Sequence, residues 1–194
     1  ASKTHEADDI LYTIAKDTKK INLNNIILTN DKDLYQLIYE NDTWWNYGDK
    51  KFSYNELVKK LNFDPHDLSD FLGLMGDSVD NIPGAPGLGE KTATALMSEY
   101  KNLDNIMNSL DSIPSRLGTK YKRFMKIIEE NKKIIYLSKK LATLDYIPDI
   151  KTNLDMIERK LIKIEKIDSL FKKTGMREGQ RNLWIKDIEK LIES

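Results

Sequence analysis

The chain has 194 residues, and its 31 Lys and Arg balance its 31 Asp and Glu, so the formal net charge is zero. Because cysteine is absent and only two histidines occur, disulfides, zinc–thiolate sites, cysteine nucleophiles and multi-histidine metal sites are excluded. Any metal ion must therefore be held by carboxylates, which favour hard cations such as Mg²⁺ or Mn²⁺.

The first part of the chain predicts alternating helices and strands. Ile10 and Ile14 have helical spacing, whereas Ile26–Leu28 is a short apolar run typical of a buried strand. Ser53 and Glu56 form a capping box that predicts the start of a further helix. In chain order we expect a helix over 6–19, a strand over 26–28, a helix over 33–39, a β-hairpin over 44–52, and helices over 53–61 and 64–73.

From about residue 89 onwards the apolar spacing predicts helices alone. Strand–helix alternation followed by helices indicates an α/β core that continues into a helical subdomain. The expected helices cover 89–99, 103–109, 117–130, 131–140 and 182–192.

The segment 75–93, MGDSVDNIPGAPGLGEKTA, places two carboxylates directly before a turn rich in proline and glycine. Glycines allow left-handed or closely approached backbone, and the helix that follows presents free N–H groups that suit a phosphate. This is the pattern of a helix–hairpin–helix, which binds the DNA backbone without reading bases. The alternative is a tight turn between helices that binds no ligand. The residues expected to lie at DNA here are Gly84, Gly87, Gly89, Lys91 and Thr92.

Charge is unevenly distributed along the sequence. Residues 31–80 contain eleven Asp or Glu against five Lys or Arg, whereas residues 81–140 contain six against eleven. An acidic pocket beside a basic track suits a metal-dependent nuclease, since phosphate contacts dominate affinity for DNA. A block of like charges can also be an ordinary solvent-exposed face. For the basic residues of the helix expected over 117–130, this interpretation is as good as DNA binding. The candidates are Lys120, Lys122, Arg123 and Lys126.

Acidic residues form three groups in the sequence: one at the start of the first helix, one after the strand, and one before the glycine-rich turn. The first and third groups contain i,i+3 pairs that share a face where the segment is helical. Like charges about 4 Å apart repel by roughly 4 kcal/mol at an effective dielectric of about 20, so convergence of the groups would require cations or protonation. Taken singly, each group has an ordinary role at a helix N-terminus or as a cap. The candidate catalytic and metal-binding residues are Glu6, Asp8 and Asp9; Asp31 and Asp33; and Asp77 and Asp80.

Three motifs in this order resemble the bacterial-type 5′-nuclease family, which includes the 5′→3′ exonuclease domain of DNA polymerase I, stand-alone homologues and phage flap endonucleases. They are EADD at 6–9, TNDKDLYQL at 29–37, and GDSVDNIPG at 76–84 with its continuation GLGEKTA at 87–93. In combination these motifs are highly specific.

The resemblance implies a fold and a reaction. The fold is α/β: the C-terminal part of a PIN-like (resolvase-like) 5′-nuclease core over 1–75, then a helical DNA-binding subdomain over 76–194 with the helix–hairpin–helix (H3TH) at about 76–99. The reaction is 5′→3′ exonuclease and 5′-flap endonuclease hydrolysis of phosphodiester bonds with two divalent cations, Mg²⁺ or Mn²⁺. In the family, the residues matching 6, 8 and 9 contribute to the first metal site and those matching 31, 33, 77 and 80 serve chiefly the second. The hairpin in relatives can coordinate K⁺.

Family members also carry a further N-terminal portion before the motif at 6–9, which supplies part of the first metal site and the arch for the 5′ end. We therefore expect this chain to be a C-terminal portion. Two functions stay open: a 5′-nuclease that is complete only with that portion, or a non-catalytic fragment that grips duplex DNA. A structural protein with an incidental turn is a third, and it predicts no salt-sensitive DNA binding.

The expected partners are DNA with a 5′ flap, nick or gap, RNA-primer ends, and a polymerase domain in the parent protein. No apolar run is long enough to cross a bilayer, so no membrane partner is expected, and the chain is expected to act as a monomer. Its Lys-, Asn- and Ile-rich composition suggests an AT-rich genome. We expect the protein in the bacterial cytoplasm at the nucleoid, or in a DNA-containing organelle of a eukaryote.

Overall fold

A small mixed sheet lies in the first third of the chain in the computed structural model, which describes residues 4–150 and 163–193. β1 (Ile26–Leu28) pairs in parallel with β2 (Thr43–Trp45), and β2 pairs antiparallel with β3 (Lys51–Ser53). The sheet order is β1-β2-β3. The predicted strand and the predicted hairpin are both confirmed.

Helices make up most of the remaining described residues. The capping box at the start of the second helix is present, with the Ser53 and Glu56 side chains each accepting the other's backbone N–H. The helices are α1 (Ala7–Lys20), α2 (Tyr54–Leu61), α3 (Leu68–Met75), α4 (Glu90–Tyr100), α5 (Leu103–Asn108), α6 (Ile113–Leu117), α7 (Lys122–Glu130), α8 (Lys132–Ala142), α9 (Ile164–Lys173) and α10 (Glu178–Glu193).

Some predicted helices differ from the observed ones. The helix expected over 33–39 is a 3₁₀ segment, Asp33–Leu37, and Ile38 is already extended. The single helix expected over 117–130 is broken at Gly118, whose φ of 98° no continuous helix adopts. α6, α9 and the first turn of α10 were not predicted, although Ile164, Ile167 and Leu170 of α9 do have helical spacing.

One hydrophobic core runs from the sheet through α3 and α4 to α8. Asp70 of α3 is 3% exposed, forms an ion pair with Lys139 of α8, and accepts the backbone N–H of Leu103. This buried carboxylate therefore joins three helices behind the turn that follows α3.

The chain divides into two compact units, 1–152 and 153–194. In the second unit, Asp168 of α9 pairs with Lys172 of the same helix and with Arg181 of α10. Among the described residues, no helix combines the length and apolar character that crossing a membrane requires.

Candidate metal centre and nucleic-acid interface

Three carboxylates converge where the β1 loop meets the turn after α3. Asp33 lies in the 3₁₀ segment that follows β1, and Asp77 and Asp80 lie in the turn. One carboxylate oxygen from each of the three lies within 4.8 Å of the others. Asp33 and Asp77 are half-buried, whereas Asp80 is exposed. We call these three residues the carboxylate cluster.

The turn that carries two members of the cluster is held by its own backbone. Asp77 and Ile82 exchange two hydrogen bonds, at 2.8 and 2.7 Å, and the Asp77 carboxylate accepts the Val79 N–H at 2.7 Å. Helix α3 ends at Met75, so the condition for a helical i,i+3 pair at Asp77 and Asp80 is not met. A closed turn brings these carboxylates together instead.

The loop that carries Asp33 is fixed by a residue that the sequence did not single out for this role. The Asp31 carboxylate accepts the Asp33 N–H at 2.9 Å, and the Trp44 indole N–H donates to the Asp31 carbonyl at 2.9 Å. Trp44 is 3% exposed and packs edge-on against Tyr35. The buried tryptophan of β2 therefore positions the loop that carries Asp31 and Asp33. No local sequence motif indicates this role.

The cluster carries negative charge that no described cation neutralises. Burial, and then the neighbouring Asp31, Asp80 and Asp77, raise the pKa of Asp33 to about 6. None of the three cluster residues forms an ion pair within the described parts of the chain. An uncompensated set of hard oxygen donors is the chemistry that a divalent cation fits.

The carboxylates of the first motif approach the cluster but do not join it. Burial, followed by Asp31, raises the pKa of Asp8, and Asp80 contributes as well. Asp9 instead accepts the backbone N–H of Asp145 at 2.9 Å, and Glu6 is exposed. Within residues 4–150 and 163–193, Asp33, Asp77 and Asp80 are the one set of three acidic side chains with metal-ligand spacing.

The glycine hairpin, residues 84–89, is built around a buried glycine. Gly84 has φ 59°, and a Cβ there would lie 2.2 Å from the Gly76 nitrogen. Its N–H donates to the hydroxyl of the fully buried Ser138 at 3.0 Å. The Gly84 amide is therefore not available to a phosphate, and Ser138, which the sequence gave no reason to select, anchors the hairpin to α8.

Ala85 and Leu88 of the hairpin are buried, whereas Gly87 and Gly89 are exposed. A Cβ built at Gly87 or Gly89 meets no atom within 4 Å. The N–H groups of residues 89–91, which are the N-cap and the first two residues of α4, make no hydrogen bond to any described residue. Lys91 is exposed and Thr92 is half-buried at this end. The arrangement can receive an anion against the main chain.

The later basic residues lie on exposed surface around the start of α7. The Lys120 ammonium lies 5.3 Å from the centre of the Tyr121 ring, and the Arg123 guanidinium lies 4.6 Å from that of Phe124. Lys122 is exposed, whereas Lys126 forms an ion pair with Glu130. Lys120, Lys122 and Arg123 therefore present a basic surface, whereas the charge of Lys126 is partly neutralised by Glu130.

Two family models match the chain over adjoining segments. Residues 1–62 match the N-terminal resolvase-like domain of 5′-3′ exonuclease, and residues 63–166 match its C-terminal SAM fold. The chain belongs to the 5′-3′ exonuclease family. The fold class expected from the motifs, a resolvase-like part followed by a helical part, is confirmed.

Relatives within the family are longer than this chain. A 5′-3′ exonuclease of Buchnera aphidicola is 37% identical over 81% of the chain, which spans 52% of that protein. DNA polymerase I of Bacillus subtilis is 34% identical over 88% of the chain, which spans 19% of the polymerase.

A solved structure supports the fold. The flap endonuclease of bacteriophage T5, solved as a complex with DNA and metal ions, matches with a TM-score of 0.59 at 17% identity. The match covers 97% of this chain and 60% of the phage protein.

Proposed function

We propose that this chain carries the second metal site and the duplex-binding surface of a 5′-nuclease of DNA replication and repair. The observation that carries the proposal is that a three-carboxylate cluster and the first turns of α4 border one cavity. Asp33 and Asp77, two of the three cluster residues, line it together with Glu90 and Thr94 of α4. A metal-binding group and a phosphate-binding helix end are thus neighbours, as phosphodiester hydrolysis requires.

Asp33, Asp77 and Asp80 would hold the divalent cation, which we take to be Mg²⁺ or Mn²⁺ because all donors are carboxylate oxygens. Asp8 and Asp31 are candidates for the other cation of the pair, since the charge of Asp31 raises the pKa of both Asp8 and Asp33. The bound cations would supply charge neutralisation and a water of lowered pKa. The chain's own part is to orient the carboxylates, through the Asp77–Ile82 turn and the Asp31–Asp33 hydrogen bond.

DNA would be held by contacts to its phosphates. The free N–H groups of residues 89–91 and the Lys91 ammonium would bind backbone phosphate at the start of α4. Lys120, Lys122 and Arg123 would extend this contact along the duplex. The substrates we propose are 5′ flaps, nicked duplexes and primer ends.

A second candidate function is DNA binding without cleavage. It is favoured by the finding that three of the seven candidate carboxylates form a ligand set, while Asp9 is engaged by the backbone of Asp145. The hairpin, in contrast, is fully assembled within the described residues.

One experiment separates these functions. A fluorescent duplex with a 5′ flap is incubated with the chain, binding is measured by anisotropy in Ca²⁺, and products are measured after addition of Mg²⁺ or Mn²⁺. Cleavage that is lost in Asp77→Asn/Asp80→Asn, and kept in Asp49→Asn as a control for an exposed carboxylate, supports the nuclease. Salt-sensitive binding without cleavage supports the second function, and absence of both contradicts the proposal.

A further inference from the structure

Gln36 is a buried amide side chain three residues after Asp33 of the carboxylate cluster. It is 6% exposed, and its Nε2 group donates to two backbone carbonyls, those of Asp33 and Ala142, each at 3.2 Å. Because two carbonyl oxygens face the same end of the amide, that end must be the NH₂ group and not the oxygen. Gln36 therefore ties the loop that carries Asp33 to a residue 106 positions later in the chain.

The two bonds of Gln36 act on different parts of the fold. Ala142 is the last residue of α8, and the last four carbonyls of a helix have no partner within that helix. Gln36 supplies the partner for one of them. Its other bond completes the hold on the Asp33 backbone, since the Asp31 carboxylate accepts the Asp33 N–H and Gln36 donates to the Asp33 carbonyl.

The chain that follows Ala142 is bonded to α1. The Asp145 N–H donates to the Asp9 carboxylate, and the Ile147 N–H donates to the Thr13 hydroxyl, both at 2.9 Å. Thr13 and Ile147 are buried, so water does not compete for the second bond. We call residues 142–147 the α8 tail. The α8 tail thus connects the Asp33 loop, through Gln36, to the helix that carries the acidic residues of the first motif.

We propose that Gln36 is a positioning residue for the metal site: together with the α8 tail, it fixes Asp33 relative to α1. The inference rests on the proposed function, because it takes Asp33 to be a metal ligand. Gln36 acts through Asp33, since its amide donates to carbonyls. Residues that orient a ligand by hydrogen bonds typically contribute about 10–100-fold to metal affinity.

The first test removes both donated bonds and keeps the length of the side chain. Mn²⁺ binding to the metal-free Gln36→Met chain, followed by electron paramagnetic resonance, should be about tenfold weaker than in the wild type. Asn131→Leu is the matched control, because the Asn131 side-chain amide donates to the Ile127 carbonyl in the last turn of α7. Wild-type affinity in Gln36→Met, or an equal loss in Asn131→Leu, would overturn the inference.

DNA binding separates positioning from a general loss of structure. We expect Gln36→Met to bind a fluorescent duplex in EDTA with the affinity and salt dependence of the wild type, because Ser138 rather than Gln36 anchors the hairpin. A parallel loss of Mn²⁺ binding and of DNA binding would show that Gln36 has a structural role only.

Thr13→Val loosens the α8 tail from its other end, and it tests the inference even where Gln36→Met does not fold. Valine has nearly the shape of threonine but cannot accept the Ile147 N–H. If the α8 tail holds Asp33, Thr13→Val weakens Mn²⁺ binding in the same direction as Gln36→Met and by a smaller factor. Unchanged Mn²⁺ affinity in Thr13→Val would contradict the role of the α8 tail.

The inference and the proposed function fail in different ways. Mn²⁺ binding that Asp77→Asn/Asp80→Asn does not weaken would overturn the metal site, and the inference with it. Mn²⁺ binding that this double variant weakens, and that Gln36→Met leaves unchanged, would overturn the inference alone.

Discussion

The carboxylate cluster and the glycine hairpin follow each other in the sequence but are stabilised in opposite ways. The buried end of the hairpin is satisfied within the protein, since the Gly84 amide donates to Ser138 of α8. The cluster is not, since burial and neighbouring charge raise the pKa of Asp33 to about 6. Under the proposed function, the hairpin would bind DNA in the form that it already has, whereas the carboxylate cluster would need a cation to offset its charge.

The largest expected effect comes from the buried glycine of the hairpin. Gly84→Ala should lower the free energy of unfolding by roughly 3–4 kcal/mol, because a Cβ would collide with the Gly76 backbone at a positive φ. Gly87→Ala, which also has positive φ but open space around it, should cost about 1 kcal/mol. Chemical denaturation measures both, and equal losses would show that the hairpin is not packed as described.

The anchor of the hairpin should have the next largest effect. Ser138→Ala leaves the buried Gly84 N–H without its acceptor and should cost about 1–2 kcal/mol of stability. Ser115→Ala, an exposed serine that bonds within its own helix region, is the control and should change stability by less than about 0.5 kcal/mol. Equal losses of stability in the two variants would show that the Ser138 hydroxyl does not anchor the hairpin.

Asp67 has a raised pKa although it lies outside the carboxylate cluster. Burial first, then Asp70 and Asp64, raise its pKa from 3.8 to about 6. The pKa of Asp67 is higher in the folded protein than in the unfolded chain. Protonated Asp67 therefore contributes its full share to the stability of the folded protein below about pH 4, and this contribution is lost as the pH rises through about 6.

Asp67→Asn should therefore be more stable than the wild type at pH 8 by about 1 kcal/mol, after allowance for solvent screening, and equal to it near pH 4. Mg²⁺ should not change this difference, since Asp67 lies outside the carboxylate cluster. Urea denaturation at the two pH values, with and without Mg²⁺, measures it. A difference that Mg²⁺ removes would place Asp67 in the metal site.

The smallest expected effect is that of one phosphate contact. Lys91→Ala should weaken DNA binding similarly for all sequences and reduce the slope of log K against log salt by about one. Lys101→Ala, at the other end of α4, should leave the slope unchanged. Fluorescence anisotropy at several salt concentrations gives the slope for each variant. Identical slopes for Lys91→Ala and Lys101→Ala would show that the N-terminus of α4 does not contact DNA.

Local signals in the sequence predicted much of the fold. The apolar run at 26–28, the capping box at Ser53 and the glycine-rich start of α4 each act within a few residues, and the structure contains all three elements. The break at Gly118 and the 3₁₀ form of Asp33–Leu37 were missed, because backbone φ and packing decide them rather than periodicity.

The candidate site could be predicted in part, by residue type and by motif. The sequence could not show that a closed turn rather than a helix joins Asp77 to Asp80. Nor could it show that Trp44 bonds to the Asp31 loop, or that Ser138 bonds to Gly84 of the hairpin. These contacts join residues that are 13 and 54 positions apart in the chain. Tertiary contacts of this kind leave no local pattern.

Mn²⁺ binding to the metal-free chain, followed by electron paramagnetic resonance, tests the central claim most directly. We expect Asp77→Asn/Asp80→Asn to weaken Mn²⁺ binding at least about tenfold. Asp49→Asn and Gly87→Ala should bind like the wild type. Unchanged Mn²⁺ affinity in the double variant would contradict the claim that Asp33, Asp77 and Asp80 form a metal site.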